Sequence, residues 1–184
     1  IYNHFIDTKV TFLRALLSLF QKGSYKVNRF HCKKLESKIN KKLNNIKYDC
    51  VILESLFTTS YIKIIRSASQ SKIYLRSHNI EHKINPINFK NIFNLRKKYL
   101  SKILKDLKKY ELKTLNQVDG VLTISKDDKL EFQKLGIKTP IENINVAIKV
   151  NGYSNSYNSK NIFYLGSMNW KPNIDALNKL INIF

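Results

Sequence analysis

Cysteine is nearly absent, with Cys32 and Cys50 alone among 184 residues. Two isolated thiols build neither a disulfide framework nor a zinc site, and a reducing compartment is the matching default. Methionine is rarer still: Met168 is the sole example, so no initiator is present. An apolar helical pattern runs up to Phe184, and the expectation is a fragment of a longer chain. Long hydrophobic runs are missing too. The best candidate, Val10 to Phe20, is short and contains Arg14, well below the roughly 18 apolar residues of a transmembrane helix. No basic segment leads into an apolar run with a small-residue cleavage site, so no signal peptide is read. Acidic residues are scarce: 13 against 33 basic ones, a formal charge of +20.

What is present begins with 43% apolar residues, enough for a packed core and too many for a disordered polycation. At roughly 150 residues per domain, the length fits one domain or one plus part of another. The charge has an address. Residues 1–110 hold 24 basic and 6 acidic groups, whereas residues 111–184 hold 9 and 7. The densest stretches are Lys22 to Lys47 and Lys90 to Lys113, each with nine basic residues. Such asymmetry points to an anionic partner. Against it stands composition: 28 of the basic residues are Lys, and Asn and Ile are frequent, as in the drift of an AT-rich genome. Drift does not explain the asymmetry.

Short apolar runs rich in β-branched and aromatic residues predict strands at 50–53, 72–76, 120–124, 141–146 and 161–165. Between them lie helical patterns. Leu35, Ile39 and Leu43 form one stripe; Leu100, Ile103, Leu104, Leu107 and Tyr110 form another on a long basic segment. Ser125 with Asp128 reads as a capping box, and Gly136 as the end of that helix. Ile174, Leu177, Ile181 and Phe184 open a last helix with Pro172 in its first turn. Strand–helix alternation predicts an α/β fold: a parallel sheet with helices on both faces. The polar stretch 151–160 reads as a linker, which gives a first domain over 1–150 and the first βα unit of a second over 161–184.

Ligands of such folds sit beyond the C-terminal ends of the strands. That rule selects Glu54-Ser55, Ser77-His78-Asn79, Ser125-Lys126 and Gly166-Ser167. His78 is positioned to donate to a phosphate or sugar oxygen near neutral pH. Arg76 and Asn79 add donors, and Glu81 is an acceptor that would fix the imidazole tautomer. A loop histidine with ordinary hydrogen bonds is the bland counterpart. Glu54 reads as a cleft carboxylate or a helix cap. His78 and His82 lack a third metal ligand, so no metal is expected. At Gly166-Ser167-Met168-Asn169-Trp170-Lys171-Pro172-Asn173 a strand runs through a glycine into a helix start, a layout that presents N–H groups to an anion. An ordinary β–α turn has the same pattern. No G-x-G-x-x-G, Walker lysine or G-x-S-x-G elbow is present, and no Cys–His arrangement has a recognisable catalytic spacing.

Taken in order, these segments resemble the glycosyl transferases group 1, glycosyltransferase family 4 with the GT-B fold. The matching pieces are Asp7-Thr8-Lys9 with Ala15-Leu16 and Leu19-Phe20; Tyr48 to Glu54; Leu75 to His82; Tyr110-Glu111; Val118 to Val121 running to Ile124-Ser125; and Gly166 to Trp170 with Pro172-Asn173. Bacterial sugar transferases of surface-polysaccharide pathways look most similar.

The resemblance implies a Rossmann-like N-terminal GT-B domain on the acceptor side, plus the start of a second Rossmann-like domain that binds a nucleotide-diphosphate sugar. It implies retaining transfer of the sugar to a cell-surface polysaccharide or lipid-linked acceptor, without a cofactor. His78 takes the place of the family's catalytic histidine. Gly166 and Ser167 match the diphosphate-binding loop. Many members carry an arginine and a lysine where Ser167 and Pro172 stand here, and Lys171 is adjacent. The family's paired glutamates would lie past Phe184, so the 184 residues alone would be inactive. The implied location is cytoplasmic, with peripheral contact at the inner face of an anionic membrane. The alternative reading is a non-catalytic basic module for nucleic acid or anionic membrane; the charge fits a membrane or a lipid-phosphate acceptor better than nucleic acid.

Overall fold

The computed structural model describes residues 4–9, 18, 23–84, 94–147, 152, 162–169 and 171–183. The expected linker 151–160 lies outside them apart from Gly152, as do most of Val10 to Phe20 and Phe184. The chain divides into two compact units, Ile1–Ile84 with Asn91–Val146, and Asn85–Lys90 with Ala147–Phe184.

The first unit is α/β, with an all-parallel four-stranded sheet flanked by helices, Rossmann-like as expected. Its elements in chain order are α1 (Tyr25–Asn28), α2 (Lys33–Asn45), β1 (Cys50–Glu54), a 3₁₀ turn (Leu56–Tyr61), α3 (Ile62–Ala68), β2 (Lys72–Ser77), α4 (Asn94–Leu115), β3 (Gly120–Thr123), α5 (Lys126–Lys134) and β4 (Ile141–Asn143). The strands lie side by side in the order β1-β2-β3-β4.

That order has a consequence for the core. Crossovers between parallel strands are right-handed, so an order without reversal puts every crossover helix on one face. The burial follows this rule. Leu53, Ile73, Leu75, Val121 and Ile141 are buried, and they share a core with Ile62 and Ile65 of α3, Leu107 and Leu115 of α4, and Phe132 of α5. Register places Leu53, Leu75, Val121 and Ile141 in one row, each buried aliphatic contributing about 1.5–3 kcal/mol. Leu35, Ile39 and Leu43 of α2 pack against the same cluster. The opposite face carries Cys50, Ile52 and Glu54, and Ile52 stays 53% exposed. The helices expected on both faces therefore bury one face among the described residues.

Two details lock the sheet. Asp119 Oδ2 accepts the Ile73 N–H at 2.6 Å and pairs with Arg66 at 2.8 Å. It thereby ties α3 and β2 to the start of β3. At the next residue, a Cβ on Gly120 would stand 2.7 Å from the Tyr74 ring, which crosses it at its register position. Only glycine admits that ring without a shift.

Local signals held in several places. Ser125 Oγ accepts the Asp127 N–H at 3.2 Å, capping α5, although Asp128 returns no bond to it among the described residues. Gly136 takes φ +78° just after α5. Two strand expectations are corrected. β4 stops at Asn143 instead of Val146. The Ile144 N–H makes one further bond to Thr123 O, and beyond it Val146 is 59% exposed. In the second unit, 162–167 form no strand. A strand needs a neighbour for its N–H and C=O groups, and no described residues pair with these. Phe163 and Leu165 are more than four-fifths exposed. The helix that follows, α6 (Lys171–Ile181), does form, with Pro172 in its first turn. Among the described residues no helix is long and apolar enough to cross a membrane.

Asp119→Ala should destabilise the first unit by about 2 kcal/mol in urea unfolding, because the Ile73 N–H loses its acceptor. Arg66, then the Ile73 N–H, hold the Asp119 carboxyl below the usual carboxylate range. Its contribution is therefore complete above the unfolded-state pKa and is lost as pH falls through the lowered folded value. The wild-type protein should show this acid loss, and the variant should lack it.

Candidate functional site

Glu54 is the last residue of β1, and register sets it beside Arg76 of β2. Parallel strands point paired residues to the same face, so both side chains rise from the open face. Arg76 Nη1 reaches Glu54 Oε1 at 3.3 Å. His78 follows two residues later, and its Nε2 lies 2.8 Å from Glu54 Oε2. The three predicted residues thus meet at one edge of the sheet. The His78 hydrogen bond, with help from Arg76, holds the Glu54 carboxyl below its ordinary range. Side-chain exposures of 43% for His78 and 51% for Glu54 leave the pair accessible to a ligand.

Ser55 turns the chain sharply here. Its φ of 74° is the one positive value at a non-glycine residue among those described. Such backbone costs on the order of 1–3 kcal/mol and gathers at functional sites. Its hydroxyl accepts from the Phe57 N–H, and its N–H bonds Arg76 O at 2.9 Å, extending the ladder past Glu54.

The loop after β2 is fixed from beneath. Ser77 Oγ donates to Asn79 O at 2.9 Å. Ile80 is buried in the core. Below it sits Glu111 of α4, whose side chain is 1% exposed. Its carboxylate oxygens take the Glu81 N–H at 2.9 Å, the His82 N–H at 3.0 Å and His82 Nδ1 at 2.6 Å. Three donors converge on one buried carboxylate, which pins the segment carrying His78 to the helix.

The sequence pattern offers Glu81 as the acceptor for the His78 ring; in the structure Glu54 takes that place. The cause is register, which sets the end of β1 next to β2. Glu81 lies half-buried. Burial first, then the nearness of Glu111, pushes its carboxyl above the ordinary range, against the opposing pull of Lys26 and His78. Asn79 bonds Glu81 through its side chain. His78 and His82 go to separate carboxylates, and the described residues include no cluster that could hold a metal.

The second predicted cluster lies in the other unit. A Cβ at Gly166 would stand 2.9 Å from Tyr164 and 3.1 Å from the Asn173 amide. Tyr164 Oη donates to Asn173 O at 3.1 Å, and the Asn173 amide donates to Ser167 O at 3.0 Å. Ser167 Oγ donates to Asn169 Oδ1 at 2.6 Å. The loop closes on the start of α6 through these bonds. Lys171 is the first residue of α6, and its side chain lies outside the described set.

No family model matches the chain, nor does any curated protein or solved structure. The arrangement at the sheet edge therefore has to be read from its own chemistry. A carboxylate–imidazole pair beside a guanidinium can orient a proton donor or acceptor and offset negative charge. Sequence reasoning missed the anchoring role of Glu111, which showed there only as part of a matching segment. The one local signal was its position on the apolar side of a long helix, where a charged residue needs partners.

Glu111→Ala should destabilise the protein by about 3–5 kcal/mol, since it strands three donors around an apolar site. Amide exchange at Glu81 and His82 should accelerate more than exchange in β2. Unchanged protection at those two amides would contradict the anchoring role.

Proposed function

We propose that the chain belongs to a retaining glycosyltransferase that moves a sugar from a nucleotide-diphosphate sugar to a saccharide or lipid-linked acceptor. The single observation that supports this is the Glu54–His78 pair at the C-terminal end of a parallel sheet, with Arg76 alongside. Ligands of open α/β sheets bind at that end. The ordered resemblance of segments from Asp7 to Asn173 gives the pair its chemical context.

In this reading the acceptor hydroxyl attacks the anomeric carbon on the leaving group's side. The bond to the diphosphate breaks, the leaving oxygen keeps the electron pair, and it takes the acceptor's proton. His78 touches the donor. With Nε2 committed to Glu54, Nδ1 is the ring nitrogen left for substrate. A neutral ring offers Nδ1 as acceptor for a sugar hydroxyl, and a protonated ring offers N–H to a phosphate oxygen. Arg76 adds positive charge at the same edge, and such fixed electrostatics favour a departing diphosphate. By resemblance alone, Gly166, Ser167 and Lys171 are assigned to the diphosphate, and Asn79 and Glu81 to the sugar. The exposed lysines of α4 suit a membrane-surface or lipid-phosphate acceptor.

The test uses the protein that carries the whole chain, given sugar nucleotides and a membrane-lipid acceptor fraction, with nucleoside diphosphate release as the readout. His78→Ala should lower turnover by about 100-fold or more, with an unchanged circular dichroism spectrum. Undiminished transfer in that variant would overturn the role of His78, and an absence of diphosphate release with every sugar nucleotide would overturn the reading.

A further inference from the structure

The helical side of the first unit holds a groove that none of the residues above explains. It encloses about 970 Å³ and opens to solvent between α1, the 3₁₀ turn with α3, and α4. One wall is a stripe of α4: Lys102, Asp106, Lys109 and Lys113 recur at helical spacing, and Gln117 extends the wall just past the helix end. Lys102 is already committed to Asp106 at 2.6 Å. Lys109 and Lys113, one turn apart, have no acidic partner among the described residues. Like charges at that spacing repel each other. Lys63 of α3 brings a third exposed ammonium to the same groove.

Hydroxyls complete the lining. Thr59 Oγ1 donates to Leu56 O at 2.6 Å and accepts from Tyr110 Oη at 3.0 Å, so both hydroxyls are engaged. Ser60 also lines the groove, and its Oγ is buried without a hydrogen-bond partner. A buried hydroxyl left without a partner costs free energy that a ligand oxygen would recover. Three uncompensated ammonium groups and an unused donor in one cavity fit an anion with several acceptor oxygens. The volume admits a phosphoester the size of a sugar phosphate or nucleotide.

We propose that this groove binds a phosphoryl group, with Lys63, Lys109 and Lys113 offsetting its charge and Ser60 donating to one of its oxygens. The site contains neither Glu54 nor His78, so it stands whether or not the glycosyltransferase reading survives. The phosphoryl group has two sources, a soluble phosphoester or a lipid headgroup.

Two probes separate the sources: inorganic pyrophosphate followed by calorimetry, and sedimentation with phosphatidic acid vesicles compared with phosphatidylcholine alone. At least one anionic probe should bind saturably to the full chain. The triple variant K63Q/K109Q/K113Q should weaken that binding by about tenfold or more. The charge-matched triple K34Q/K38Q/K41Q on exposed positions of α2 should change it by less than about twofold. Ser60→Ala should weaken it by about threefold. Thermal melts should show all three variants folded, since each removes an exposed charge or an unpartnered hydroxyl. A response to pyrophosphate marks a soluble ligand, and a response to phosphatidic acid alone marks a lipid one; either supports the site. Equal losses in the two triples, no change in Ser60→Ala, or no saturable binding to either probe would overturn it.

Discussion

A sheet whose strands run in sequence order has to collect its crossover helices on one side. Here β1 to β4 lie in that order, and the rest of the first unit follows from it. The row Leu53, Leu75, Val121 and Ile141 faces the helices and forms the floor of the core. The alternate row, Glu54, Arg76, Leu122 and Glu142, has no such duty. Polar residues are tolerated there, and at the C-terminal end they bring a carboxylate and a guanidinium together. Parallel pairing also aligns all strand ends at one edge. His78, two residues past Arg76, arrives beside Glu54 for that reason.

Helix α4 shows how one element serves two ends. Its inward stripe carries Leu107, Glu111, Thr114 and Leu115, all buried. Glu111 is the costly member, since burying a carboxylate is unfavourable unless donors surround it. The loop after β2 supplies those donors from two backbone N–H groups and His82. The cost of burial thus becomes positional precision for the loop. The neighbouring stripe of the same helix carries Lys102, Lys109 and Lys113, which line the groove on the helical side. The basic character of the N-terminal part therefore has structure within it, beyond a uniform excess of lysine.

Much of this was legible in the sequence. β1, β2 and β3 fall on the compact apolar runs, because burial of one face selects β-branched residues at alternate positions. α2 and α4 follow their stripes, and Ser125 and Gly136 mark the ends of α5 by local chemistry alone. His78, Arg76 and Glu54 stand out in the sequence because they follow or end predicted strands, where α/β folds bind ligands. What stayed hidden was long-range. The partner of His78 is 24 residues away in sequence, and only register decides between Glu54 and Glu81. The role of Glu111 depends on a loop 29 to 30 residues upstream. The run after Asn161 looked like a strand, but apolar alternation supplies no hydrogen-bond partner. Helices on both faces were expected from alternation alone, which does not reveal strand order.

The central claim is that Glu54 acts on substrate through His78, as one unit at the edge of the sheet. A double-mutant cycle tests it most directly, with Glu54→Gln and His78→Ala made singly and together in the protein carrying the whole chain, and sugar transfer as the readout. The account predicts that each single change slows transfer and that Glu54→Gln adds almost nothing once His78 is gone. Losses that multiply, as for independent sites, would contradict it.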